Sequence, residues 1–261
     1  MEQLEMLRAD LSQCDEILLS TLLMRNRIVE QIMAYKEANH LPILQPEQEE
    51  KTKKWLEKSL ADKRHSQEVM DVFNTVITCS KKIQAWKLFD YNIVLIGFMG
   101  AGKSTISSYL STLFAMDVVD MDEVIAQREG MSISDIFETR GEQYFRDAET
   151  NLLIEMQSRT NVVISCGGGT PLRACNVTEM KKNGKVVLLT AQPETIYERV
   201  KDSHNRPLIE NNKNVAFISD LMEKRKEKYE AAADIIITTD GKSTLEICEE
   251  LVGRLLNENN R

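Results

Sequence analysis

Two rhythms of apolar and polar residues divide this chain. In the first, Leu4, Leu7, Leu11, Leu18, Leu22, Val29 and Ile32 recur at helical spacing through a stretch without breakers. That spacing predicts one helix from about residue 2 to about residue 39. At 1.5 Å per residue it would be about 55 Å long, and it needs a partner along its length to cover its apolar face. The segment HLPILQP ends it, because proline stops a helix and constrains the residue before it. A second helix is expected at roughly 47–60 and a third at roughly 66–88, the last with Val69, Val72, Phe73, Val76, Ile77 and Ile83 as its apolar stripe. Helices of such unequal length make a poor monomer. A dimer that pairs the long helices is the simplest way to bury them.

From Tyr91 the rhythm changes. NIVLIG, MDVVDMD, NVVISC, KVVLLT and ADIIITT are β-branched runs of strand length. Helical stretches, among them 103–115, 141–157, 171–182 and 243–256, separate them. This alternation predicts a parallel five-stranded sheet covered by helices on both faces. Glycine usage marks the same change: residues 1–88 contain none, and all eleven glycines lie from Gly97 onward. The expected organisation is therefore multidomain. An all-α domain spans 1–88, an α/β domain spans 91–261, and the joint at Lys87–Asp90 is very short.

Composition removes several function classes. The net charge of -8 and the absence of a basic block argue against a nucleic-acid partner. No run of about 18 apolar residues exists, so no membrane span is expected. The opening MEQLEMLRADLSQ is charged and lacks a signal-peptide core. The five cysteines form no CxxC pair and fit reduced thiols in a cytoplasmic protein. The three histidines are scattered, which gives no support to a His/Cys metal site.

The chemistry starts at GFMGAGKST, which matches GxxxxGK[ST] between a strand and a helix. Gly97, Gly100 and Gly102 let the backbone turn tightly so that its N–H groups surround phosphates, and the helix start adds its positive dipole end. Lys103 would reach the β- and γ-phosphates and the Ser104 hydroxyl would ligate Mg²⁺. With Ala101 and Thr105 these residues form the expected ATP loop. At the end of the next strand, DMDE carries Asp120 and Asp122, which period-two alternation sends to the same side. Asp120 would hold the metal through water, and Asp122 would orient or deprotonate an acceptor hydroxyl; the plainer reading is a helix cap. Arg146 and Glu149 share a helical face, a pattern that by itself reads as a surface ion pair. Gly167, Gly168 and Gly169 follow a buried strand, where they argue for backbone passing close to a ligand. DSHNRPLIENN reads as a lid carrying Arg206. Arg225 stands four residues before Tyr229, and a solvated face is the default for that basic helix.

In joint order and spacing, GFMGAGKST, DMD, FRDAE, GGG, RPL and RKEKY resemble shikimate kinase over nearly all of 91–261. The resemblance implies transfer of the ATP γ-phosphoryl group to the shikimate 3-hydroxyl, with Mg²⁺ accompanying ATP. It implies that Asp122 contacts the acceptor hydroxyls, that Asp120 supports the Mg²⁺ shell, and that Arg146 and Arg225 grip the carboxylate. Gly167, Gly168 and Gly169 would line the acceptor, Arg206 would neutralise phosphate charge, and Arg199 would pack on adenine.

In the front half, Arg25 and Lys36 are eleven residues apart and share a helical face, whereas Arg8 points elsewhere. Ser80 and Gln84 share a face at i, i+4. Charges so placed usually mark a solvated face. The pattern of LRADLSQCDEILLSTLLMRNRI, the YK of MAYKEA, LPILQPEQEE and CSKKIQ nevertheless resembles the all-helical chorismate mutases across 1–88. The resemblance implies an intertwined homodimer that rearranges chorismate to prephenate without a cofactor. It places Arg8 (crossing from the partner chain), Arg25, Lys36, Glu49, Ser80 and Gln84 at the chorismate site, with Lys36 and Gln84 near the breaking ether bond. The related mutases often read PxxDPxRE after the first helix. Here Gln45 stands for the acid and Gln48 for the arginine, so one cationic donor is missing: mutase activity is expected in reduced form, and the alternative is a shikimate kinase with a non-catalytic helical dimerisation or effector-sensing domain. ATP, shikimate and chorismate are the expected partners.

Overall fold

A computed structural model of the chain describes residues 2–39, 41–201 and 214–259. It forms two compact units, Met1–Lys87 and Leu88–Arg261.

The first unit is helical: α1 (Glu2–Ala38), α2 (Pro46–Leu60) and α3 (Ser66–Leu88). Glu2 and Glu5 stand in the first turn of α1 and Lys36 in its last, the order that the helix dipole favours. Pro46 opens α2, where a missing N–H costs nothing. Val29, Met33, Leu44 and Leu56 are buried, and Trp55 meets Phe73 edge to face at 6.4 Å. The N-terminal part of α1 is different. Every residue from Glu2 to Thr21 is exposed, including Leu11 at 62% and Leu18 at 51%. The stripe that predicts the helix therefore stays in water over about 30 Å of its length.

The second unit holds five parallel strands: β1 (Asn92–Gly97), β2 (Asp117–Asp120), β3 (Val162–Ser165), β4 (Gly184–Thr190) and β5 (Ile235–Thr238). Their order is β2-β3-β1-β4-β5. These are the five β-branched runs of the sequence. β1 and β3 are buried along their whole length, as befits strands covered on both faces, while the edge strand β5 alternates buried and exposed. The chain leaves β1 toward one edge and later returns to the other side of it. The crevice beyond the C-terminal ends of β1 and its neighbours is thus a switch point, where open α/β sheets bind ligands.

The helices are α4 (Lys103–Phe114), α5 (Met121–Glu129), α6 (Ile133–Glu155), α7 (Ala174–Lys182), α8 (Pro193–Val200), α9 (Val215–Ala232) and α10 (Thr244–Asn259). Two of them differ from the sequence expectation. α5 starts directly after Asp120, so strand alternation does not extend to Asp122. α6 begins eight residues before residue 141, because Ser132 and Asp135 form a reciprocal capping box. It bends at Gly141 (φ 83°). Among the described residues no helix is long and apolar enough to cross a membrane.

Candidate active site

The loop between β1 and α4 is built for an anion. Gly102, the residue before α4, has φ 99°, a left-handed conformation that a side chain would strain. No side chain caps α4 and no acid lies in its first turn, which leaves the positive end of the helix facing the loop. Lys103 Nζ donates to the Gly97 and Phe98 carbonyls at 2.9 and 3.2 Å and so lies over the loop. Loop and lysine border a cavity of about 1150 Å³, which Asp120, Asp122, Arg146, Gly167, Gly168 and Arg199 also line.

Asp120 uses its two carboxylate oxygens differently, and the helix-cap reading accounts for one of them. Oδ1 accepts from the backbone N–H groups of Asp122 and Glu123 at 3.2 and 3.4 Å and caps α5. Oδ2 accepts from Ser104 Oγ at 3.2 Å and from Ser165 Oγ at 3.0 Å. A hydroxyl and a carboxylate side by side at a phosphate loop are hard oxygen donors of the kind Mg²⁺ takes. Asp122 reaches the cavity from the first turn of α5. Burial, then the Asp120 and Glu149 carboxylates, push its pKa up to about 6 against the opposing pull of Lys103 and Arg146. It is thus a carboxylate at neutral pH that binds a proton more readily than an ordinary aspartate.

The Arg146–Glu149 pair exists, but not as a surface ion pair. Glu149 is fully buried, and its Oε2 accepts from Arg146 Nη1 at 2.9 Å. Its Oε1 accepts from the Thr170 hydroxyl. Glu142 Oε1 takes Arg146 Nη2 at 2.8 Å and Nε at 3.1 Å. The guanidinium is therefore fixed from two sides. Gly169 makes room for it, since a Cβ there would collide with the guanidinium group. A Cβ at Gly167 would lie 2.6 Å from Asp122 Oδ1. Two of the three glycines thus let backbone approach Asp122 and Arg146. Gly168 contributes its carbonyl instead, which accepts from Tyr229 Oη at 2.6 Å and from Arg225 Nη1 at 3.4 Å. Arg225 also lies 5.8 Å over the Phe98 ring. The helix carrying it does not present this arginine as a solvated charge. Arg199 Nη1 donates to the Gly100 carbonyl at 3.1 Å and to Thr239 Oγ1 at 3.0 Å, beside the loop. Arg206 lies outside the described residues. Cys166 lines the same cavity, and burial pushes its thiol up so that it stays neutral.

Glu149, Ser165, Thr170 and Thr239 join the cluster without any site role expected from the sequence. Only Glu149 carried a signal, its spacing of three from Arg146.

In the helical unit, Arg25 Nη1 donates to Ser80 Oγ and, at 3.4 Å, to the Val76 carbonyl, which joins two of the expected chorismate residues. Lys36 Nζ donates to the Ile43 carbonyl at 2.9 Å, and partial burial lowers its pKa. Glu49 pairs with Lys81 at 2.8 Å. Gln84 is half-buried one turn beyond Ser80, and Arg8 stands on the exposed part of α1.

A parallel sheet of this order with a phosphate loop at its switch point, two aspartates and a partly buried arginine paired to a buried glutamate defines a P-loop kinase, here preceded by a helical unit. Residues 99–256 match the family model of shikimate kinase, and residues 7–85 match that of chorismate mutase type II. The chain belongs to the shikimate kinase family and carries a chorismate mutase type II region ahead of the kinase. It is 43% identical over 164 residues to the shikimate kinase of Persephonella marina, covering 63% of this chain and 98% of that protein. It is 44% identical over 160 residues to that of Dehalococcoides mccartyi, covering 61% and 90%. Among solved structures, the Acinetobacter baumannii shikimate kinase in complex with shikimate superposes with a TM-score of 0.62 at 32% identity, over 66% of this chain and 96% of that one.

Proposed function

We infer that the chain is a bifunctional enzyme of the shikimate pathway. Its C-terminal unit phosphorylates the shikimate 3-hydroxyl from ATP, and its N-terminal unit rearranges chorismate to prephenate. The observation that carries the kinase reading is that Lys103, Asp122 and Arg146 border one cavity. We assign Gly97, Gly100, Ala101, Gly102, Lys103, Ser104, Thr105, Arg199 and Arg206 to ATP. Asp122, Arg146, Gly167, Gly168, Gly169 and Arg225 take shikimate. Ser104 and Asp120 would hold Mg²⁺, which arrives with ATP and supplies charge neutralisation at the phosphates. Asp122 accepts the proton of the attacking hydroxyl, and Arg146 fixes the carboxylate end of the acceptor so that the hydroxyl faces the phosphate loop. Phosphoryl transfer needs this positioning and neutralisation more than covalent help.

In the helical unit Arg8 and Arg25 grip the substrate carboxylates. Lys36 and Gln84 face the ether oxygen, where charge develops, and Glu49 and Ser80 complete the site. A pericyclic rearrangement needs a compact dianion and cationic donors, not an acid or base. The exposed leucines of α1 support a homodimer through the long helices, which brings Arg8 across from the partner. The unpaired cysteines and the small biosynthetic substrates support a cytoplasmic enzyme. The test is ADP formation against a panel of hydroxyl acceptors; a preference for an acceptor other than shikimate would overturn the kinase assignment.

A further inference from the structure

We propose that Tyr229 is a positioning residue for the acceptor: its hydroxyl sets the peptide between Gly168 and Gly169 in the glycine loop that borders the cavity. The proposal rests on the kinase reading above. The loop runs GGGTPL, Gly167 to Leu172, and closes in a short 3₁₀ turn at Thr170–Leu172. Such a turn ties each carbonyl to the N–H three residues on. The Thr170 N–H donates to the Gly167 carbonyl and the Leu172 N–H to the Gly169 carbonyl, both at 3.1 Å. The middle position breaks the series. The residue three after Gly168 is Pro171, which has no N–H to give. The Gly168 carbonyl takes its donors from α9 instead, Tyr229 Oη at 2.6 Å and, more distantly, Arg225 Nη1 at 3.4 Å.

The hydroxyl suits this task. Tyr229 is only 5% exposed, and burial raises its pKa against the opposing pull of Arg225, so it stays a donor at neutral pH. Its hydrogen bond joins residues 61 apart in the chain. The bond fixes more than one atom, because a peptide is planar and trans: with the Gly168 carbonyl turned to α9, the Gly169 N–H is turned the opposite way. A peptide between two glycines has little of its own to hold it in one orientation. Gly168 borders the cavity, and Gly169 lies against the Arg146 guanidinium. The tyrosine thus decides which face of that peptide meets the acceptor beside Arg146.

The test is the kinetics of shikimate phosphorylation in four chains: unsubstituted, Tyr229→Phe, Pro171→Ala, and the two substitutions combined. Tyr229→Phe keeps the ring and removes only the hydroxyl. A buried carbonyl deprived of its short hydrogen bond should raise the KM for shikimate about tenfold, with kcat and the KM for ATP changed much less. Alanine at 171 supplies the missing N–H, so the effect of Tyr229→Phe should shrink to about twofold or less in the Pro171→Ala background. An unchanged shikimate KM in Tyr229→Phe overturns the proposal. So does an equal rise in both KM values or a loss of ATP binding, either of which marks a tyrosine that holds up the whole kinase unit. An effect of the same size in both backgrounds also overturns it, because the hydroxyl then does not act through the Gly168 carbonyl. Each of these results leaves the kinase reading standing. An unsubstituted chain that does not phosphorylate shikimate removes both.

Discussion

Asp122→Asn separates what the cavity does for catalysis from what it costs the fold. The Asp122 pKa rises from 3.8 to about 6, through burial first and then through Asp120 and Glu149. A raised folded-state pKa means that the native protein holds this proton more tightly than the unfolded chain. The resulting stabilisation is complete below pH 3.8 and is lost as pH rises through about 6. At pH 7 the ionised carboxylate then costs up to about 3 kcal/mol, at 1.36 kcal/mol per pKa unit; this is a ceiling, since part of the side chain meets solvent. Asparagine removes the charge at nearly the same volume. Calorimetry at pH 7 should show the kinase transition of Asp122→Asn raised by several degrees, at about 2–4 °C per kcal/mol for a unit of this size. The gain should vanish by about pH 4, where aspartate is itself largely neutral in the folded state. Shikimate-dependent ADP formation should fall by about 10²–10⁴ for loss of a general base. A variant less stable than the unsubstituted chain at pH 7, or one that keeps its activity, would refute this account of Asp122.

The same carboxylate sets the acid limb of the kinase: with a pKa of about 6, its ionised fraction, and with it kcat/KM, should drop about tenfold between pH 7 and pH 5. A profile flat to pH 5 would mean an ordinary aspartate. Glu149→Gln should shift that limb to lower pH, because it removes a negative neighbour and leaves Arg146 less neutralised. Gly169→Ala should raise the KM for shikimate by about 10- to 100-fold by displacing the Arg146 guanidinium, with ATP affinity little changed. Leu11→Glu combined with Leu18→Glu should abolish the proposed homodimer in analytical ultracentrifugation and reduce chorismate turnover.

Much of this was legible in the sequence, for identifiable reasons. The long helix, its break at Pro42–Pro46 and the five β-branched runs follow from local periodicity, and the structure contains all of them. The phosphate loop was legible because its glycines and Lys103 are contiguous. Pairings across long separations were not. Asp120 to Ser165, Glu149 to Thr170 and Arg199 to Thr239 span 45, 21 and 40 residues, and no period links their partners. Asp122 was assigned to the site through strand alternation, yet it arrives there on the first turn of α5. Arg225 looked like one charge among many in KRKEKYEAAAD, and only the fold sets it over Phe98 and against Gly168. The long apolar stripe of α1 was read from its periodicity as a face to be covered; in the single chain its N-terminal half remains exposed.

The central claim is that one chain holds two independent chemistries, and it is tested by measuring both in one preparation. Purified protein spanning residues 1–261 is assayed for shikimate-dependent ADP formation and for chorismate loss, beside Arg25→Ala and Lys103→Ala. The account predicts both activities in the unsubstituted chain, loss of chorismate turnover alone in Arg25→Ala, and loss of shikimate phosphorylation alone in Lys103→Ala. Shikimate phosphorylation without any chorismate turnover in the unsubstituted chain would contradict it and make the helical unit something other than a mutase.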